Sequence, residues 1–226
     1  MNQLVLNLSR NEWIIIIVSL AILIILLILF FLLFPIIKRR HNFKNFREIY
    51  YKKIRKVADL KDYYLINNLT LRNNDQIICR IDHILFGDKF IYVIKDRYYR
   101  GAIVGDKSDL TWLFFNKHGE KSEMDNPMLM NKKRIEKLSL MTQIDSSFFV
   151  SIVIINDDCV VKNMNNLNEE NSFIVASSKI NKLIKVIENR DIKKMDENQL
   201  KYAVMDISKL YGEGGDEYET NENEEE

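Results

Sequence analysis

QIICRIDHILFGDKFIYVIK, residues 76–95, sets the architecture of this chain. Two runs rich in Ile, Val, Phe and Tyr flank Gly87-Asp88, a dipeptide suited to a tight turn. The pattern predicts a hairpin of two strands, Gln76 to Phe86 and Lys89 to Lys95. Neither run alternates cleanly between apolar and polar residues, the mark of strands covered on both faces. A sheet with such a centre needs helices above and below it.

The flanking sequence supplies them. Upstream, Phe46, Ile49, Tyr50, Ile54, Val57 and Leu60 recur at spacings of three and four, predicting an amphipathic helix from Phe43 to Leu60. Tyr63 to Leu71 reads as a strand, closed by the turn residues Arg72-Asn73-Asn74-Asp75. Downstream, Gly101 to Val104 and Leu110 to Asn116 read as short strands, the second turning at Lys117-His118-Gly119. Pro127 suits a first helical turn with Asn126 as its cap. That helix is expected to reach Thr142 with Leu129, Ile135, Leu138 and Met141 facing inward. Phe148 to Ile155 and Ser172 to Ala176 read as further strands. Ser177 or Ser178 is expected to cap a helix through Ile180, Leu183, Ile184 and Ile187, and Asp196 a last helix to about Leu210. Strands joined both by hairpins and by helical crossovers give an α/β domain with a mixed central sheet flanked by helices.

Trp13 to Ile37 is of another kind: WIIIIVSLAILIILLILFFLLFPII, interrupted only by Ser19 and Pro35 and free of charge. About 20 apolar residues, at roughly 1.5 Å each, cross a bilayer's hydrocarbon core. The apolar region of a cleaved secretory signal is roughly 7–15 residues long and ends in small residues. This run is longer and leads into Lys38-Arg39-Arg40, so residues 13–37 are read as an N-terminal transmembrane helix. Arg10 and Glu12 precede it, whereas Lys38, Arg39, Arg40, Lys44 and Arg47 follow; the positive-inside rule puts the following flank in the cytoplasm. The expectation is a single-pass protein of the cell membrane. Residues 1–12 form a short extracytoplasmic N-terminus, residues 38–62 a basic juxtamembrane segment and amphipathic helix, and the rest faces the cytoplasm. The lipid bilayer is therefore an expected partner, and each cation near anionic headgroups would add about 1 kcal/mol.

The formal net charge of +1 hides an asymmetry. From Gly212 the sequence reads GEGGDEYETNENEEE, with eight acidic residues and no basic one. Setting those eight apart leaves 33 basic residues against 24 acidic, a surplus of nine. Residues 211–226 hold too little apolar surface to fold and are read as a disordered acidic tail. Such a tail can also compete with nucleic acid for a basic face. Cys79 and Cys159 lie in apolar runs without a C-x-x-C, and His41, His83 and His118 are scattered, so neither a disulfide nor a zinc site is expected. Nothing marks a small-molecule substrate.

Ile81-Asp82-His83-Ile84-Leu85, a tight turn, Phe90-Ile91-Tyr92-Val93-Ile94 and Gly101-Ala102-Ile103 form an ordered set. Tyr64 to Leu69 precedes it, and Trp112, Asn126-Pro127 and Phe148 to Ile155 follow. Over residues 44–160 this set resembles the nuclease-related domain, NERD, of the restriction-endonuclease-like PD-(D/E)XK fold; residues 161–210 would complete the domain. The resemblance implies metal-assisted phosphodiester cleavage with Mg²⁺ or Mn²⁺. Asp82 falls on the metal-binding Asp. Glu48 falls on a helical Glu, with Arg47 where the family usually has Gly. The E-x-K motif falls on Lys95-Asp96-Arg97, so Lys95 takes the carboxylate position and Arg97 the Lys position. Met130 stands near the usual Gln.

Residues two apart on a strand share a face, so Lys95 and Arg97 are expected on the face of Asp82, with His83 on the other. Unit charges about 4 Å apart interact by about 4 kcal/mol at an effective dielectric of 20, and a divalent ion doubles the repulsion from an ammonium. The expectation is that Lys95 and Arg97 neutralise Asp82 and Glu48, an ion cluster standing where the metal would. Asp96, one position off, could join Asp82 and Glu48 as a metal ligand only through a bulge. Tyr63, Tyr64, Tyr98 and Tyr99 beside Arg97 and Arg100 offer base stacking or packing.

Three functions fit. The first is a catalytically degenerate module binding DNA or RNA through the basic surplus, needing no cofactor. The second is a surviving metal-dependent nuclease using Asp82, Glu48, Asp96 and Arg97. The third is a structural membrane scaffold for a protein partner.

Overall fold

The structure, a computed structural model, describes residues 10–73, 76–162 and 168–214. It divides into two compact units, residues 1–45 and 46–226.

The first unit is helix α1, Arg10–Lys44. Its apolar side chains are bare on every side; Phe31 is 71% exposed and Leu32 62%. None of this span is buried among the described residues, and the helix is long and apolar enough to cross a membrane. The Ser19 hydroxyl donates to the Ile16 carbonyl at 2.9 Å, which keeps its polar group satisfied within the helix.

The second unit opens with α2, Phe46–Lys61, followed by β1, Tyr64–Asn73, β2, Gln76–Phe86, and β3, Ile91–Asp96. Then come β4, Gly101–Val104, β5, Thr111–Asn116, β6, Lys121–Asp125, and α3, Pro127–Thr142. After these lie β7, Phe149–Ile155, β8, Val160–Val161, β9, Ser172–Ala176, α4, Ile180–Glu188, and α5, Glu197–Gly214. The main sheet has order β1-β2-β3-β7-β9, antiparallel from β1 to β3 and parallel from β3 to β9. It is mixed, as the sequence implies. A second sheet, β6-β5-β4-β8, packs Trp112 and Ile103 against Val153, Ile155 and Ile174.

The 76–95 hairpin lies in the middle of the main sheet, with Tyr92 and Val93 fully buried on opposite faces. Tyr92 and Leu85 meet α2 and α4 through Tyr50, Ile54, Ile184 and Ile187. Val93 and Ile84 meet α3 and α5 through Ile135, Leu138, Ala203 and Ile207. β2 is longer than its partner: β3 pairs only with His83 to Phe86. The outer half of β2 therefore has a free edge on that side, beside α3.

Several details differ from the sequence expectations. β3 starts at Ile91 because the Lys89 ammonium turns aside to the Arg190 carbonyl and Gly87 N–H closes the turn on Phe90. Leu60 is 65% exposed, and Ala58 takes its place on the inner face of α2. On α3, Leu129 and Met141 are half-buried, while Met128 and Asn131 lie beneath the helix. Ser177 and Ser178 do not cap α4. They form a 3-10 turn whose Ser178 N–H and Ser177 hydroxyl both donate to Asp157. β6 has no counterpart among the strands expected from sequence. Within the acidic 211–226 stretch, α5 runs on to Gly214, and residues 215–226 lie outside the described residues, as do residues 1–9 of the N-terminal stub.

Candidate functional site

Asp82 lies where β2 begins to pair with β3, and Lys95 lies near the end of β3. Their side chains meet: Lys95 Nζ donates to Asp82 Oδ1 at 2.9 Å, and the Asp96 backbone N–H donates to Asp82 Oδ2 at 2.8 Å. The side chains are only 7% and 18% exposed. Burial works to raise the Asp82 carboxyl, but the Lys95 charge and the two hydrogen bonds outweigh it and hold the group below its usual range. Lys95 is pushed down by burial first; Asp82 pulls the other way, while the positive charges of Arg97 and Arg134 add to the fall.

The alternate residues form a second pair. His83 Nε2 lies 3.0 Å from Asp96 Oδ2, and His83 Nδ1 lies 2.7 Å from Asn67 Oδ1. The Tyr51 ring stacks over the imidazole at 6.3 Å. His83 is thus a buried, hydrogen-bonded histidine on the face opposite Lys95. Burial raises the Asp96 carboxyl, with the His83 hydrogen bond opposing, and Asp96 Oδ1 is buried with no partner among the described residues.

A cavity opens on either side of these pairs. One, of about 420 Å³, is lined by Glu48, Asp82 and Asp96 together with Arg47, Tyr51, Asn67 and His83. The other, of about 470 Å³, lies between the outer half of β2 and α3. Its lining carries six cations, Arg80, Lys95, Arg97, Lys133, Arg134 and Lys137, with Met130, Ile78 and Cys79 among the apolar residues. No acidic side chain lines it among the described residues. Backbone contacts hold this wall in place. Lys137 Nζ donates to the Ile78 carbonyl at 3.2 Å, and Arg134 Nε to the Arg80 carbonyl at 3.1 Å. Asn131, fully buried, fixes α3 to the sheet by donating to the Val93 carbonyl and Ser151 hydroxyl, each at 2.9 Å.

The sequence-derived site residues therefore come together in two groups. Asp82 meets Lys95 as expected. Arg97 does not meet Glu48: it lines the basic cavity, and Glu48 pairs with Lys52 one turn along its own helix at 2.6 Å. Asp96 shares a cavity with Glu48 and Asp82, yet its carboxylate faces His83, and only its backbone reaches Asp82. The β2–β3 register is regular, without the bulge that would turn Asp96 inward. The Lys95 ammonium stands 2.9 Å from Asp82, the residue on the family's metal-binding Asp, and no group of three His, Cys, Asp or Glu converges among the described residues. Tyr98 packs on Phe46 and Tyr99 on Phe114.

Arg80, Lys133, Arg134 and Lys137 belong to the site although the sequence reading passes over them. A signal exists: Lys133 and Lys137 are four apart and adjoin Arg134 on the helix that Asn126-Pro127 opens.

Residues 45–156 match the family model of the nuclease-related domain, NERD, so the chain carries that domain. It is also similar to an uncharacterized protein of Bacillus anthracis, 26% identical over 116 residues, which is 50% of this chain and 53% of the relative. The chain thus spans about half the length of that relative. No solved structure matches.

Proposed function

We propose that this nuclease-related domain has exchanged metal-dependent cleavage for binding of the nucleic-acid phosphate backbone, and that α1 holds it at the cytoplasmic face of the cell membrane. The observation that carries the reading is the basic cavity. It gathers Lys95 and Arg97, the two positions on which the E-x-K motif falls, with four further cations and, among the described residues, no carboxylate. Such a surface attracts phosphates without needing a metal, and the Lys95–Asp82 pair supplies internally the positive charge that the fold usually takes from an ion. A phosphodiester strand laid along the outer half of β2 would meet Arg80, Lys133 and Lys137 at its phosphates.

The test is titration of a short labelled duplex into the full chain, held in discs of neutral lipid, at rising salt. Three phosphate contacts give a slope near −0.9 per contact, so affinity should fall about 40-fold between 50 and 200 mM salt. Lys133→Glu with Lys137→Glu should flatten the slope. Absent or salt-independent binding overturns the reading. A metal-dependent nuclease is the alternative, supported by Glu48, Asp82 and Asp96 lining one cavity; cutting in Mg²⁺ or Mn²⁺ that Asp82→Ala abolishes would establish it.

A further inference from the structure

We propose that the acidic segment of residues 213–226 seats in the six-cation cavity and competes there with nucleic acid. The competition rests on the nucleic-acid reading; the seating does not.

Three observations point to this occupant. The first is an excess of positive charge. No acidic side chain lines the cavity among the described residues, and Asp82 is already matched by Lys95. Lys137 holds to a carbonyl oxygen of β2, an acceptor without a full charge. The cavity's lining is cationic, with Lys95 among its cations paired to Asp82, and it favours a polyanion that can enter. The second is complementarity. Residues 212–226 hold eight acidic residues, no basic ones and three glycines, a stretch of the opposite sign. The third is the tether. α5 carries this segment, and its residues Ile207 and Leu210 share one apolar cluster with Ile78 and Cys79, which line the cavity. The helix that delivers the acidic residues thus belongs to the same apolar core as the cavity's wall. Residues 215–226, fully extended, would reach up to roughly 40 Å, ample for a neighbouring site. A tether of this length holds its end at millimolar effective concentration, so even a weak contact is well occupied. Screening weakens it as salt rises.

The experiment uses the full chain in neutral-lipid discs, carrying Cys79→Ser, Cys159→Ser, Glu136→Cys and Asn221→Cys. Nitroxides at 136 and 221 report the distance from the exposed side of α3 to the segment. The expected result is a single short distance at low salt. It should broaden at molar salt, and also when Lys133→Glu and Lys137→Glu are added. A chain stopped after Gly214 should bind the duplex roughly tenfold more tightly than the full chain at low salt, the gap closing as salt rises. A broad distance distribution at both salts overturns the seating, whatever the duplex does. A short distance at low salt, with no duplex bound by either chain, leaves the seating standing and removes the nucleic-acid reading instead. Equal duplex affinities with a short distance overturn the competition.

Discussion

Lys95 carries more of this domain's character than any other side chain. It donates to Asp82 and lines a cavity of cations. Truncation to Lys95→Met leaves Asp82 without its charged partner, a change that costs about 3 kcal/mol when one member of a buried pair is removed. The pH dependence has a definite sign. The Asp82 carboxyl is held below its ordinary value of 3.8, so its contribution is present above that value and lost as pH falls through the lower folded value. The stability gap between wild type and Lys95→Met should therefore be widest above pH 5 and close toward pH 2, as denaturant midpoints across that range would show. Asp96 acts in the opposite sense. Its carboxyl is raised by burial, so Asp96→Asn should gain on the wild type as pH rises from about 4. A gap that widens on acidification at Lys95→Met would refute the pairing. Rebuilding the motif as Lys95→Glu with Arg97→Lys places a second carboxylate beside Asp82. Calorimetric titration of Mn²⁺ should then show binding in the double variant and none in the wild type.

α3 joins fold to site. Asn126, fully buried, accepts the Met128 and Leu129 N–H groups on its Oδ1 and donates its amide to the Lys107 and Asp109 carbonyls, so one side chain caps the helix and fixes the preceding loop. Asn126→Ala should cost about 2 kcal/mol in chemical denaturation, the sum of a lost cap and stranded loop carbonyls, and should weaken duplex binding because three cavity cations ride on this helix. A loss below about 0.5 kcal/mol would mean that packing alone holds the helix start. The cap was legible because Asn-Pro at a helix start has few other uses; the 76–95 hairpin was legible because both its faces are apolar. β6 was not, since Lys-Ser-Glu-Met-Asp is polar and almost wholly exposed, and only its pairing with β5 makes it a strand. At the site, strand alternation foretold the Asp82–Lys95 contact and the opposite placing of His83. It could not place Glu48, because the rotation of α2 about its axis is set by Tyr50, Ile54 and Val57 packing on the sheet. Nor could it show that β2 outruns β3, which is a matter of strand length and opens the basic cavity.

In the whole molecule the charges are sorted along the chain: an apolar helix, a basic flank, a domain with a cationic cavity and an acidic end. A polyanion-binding domain gains from a membrane tether by being confined to a surface, where a second contact forms at high effective concentration. The anchoring is open to direct test. The apolar side chains of α1 are exposed, and a span of that length, once in a bilayer, would not be released by salt or alkali. The full chain should stay with the membrane pellet after alkaline and high-salt washes, whereas a chain beginning at Phe46 should be released by salt, since only cation–headgroup attraction remains to it. The basic residues Lys38, Arg39, Arg40 and Lys44 predict, by the positive-inside rule, that the chain after α1 faces the cytoplasm. Trypsin added to inside-out vesicles should digest residues 46–226, and trypsin added to intact spheroplasts should leave them whole. Digestion in intact spheroplasts would put the cationic cavity on the outer side of the membrane, away from cytoplasmic nucleic acid, and the proposed function would fall with the topology.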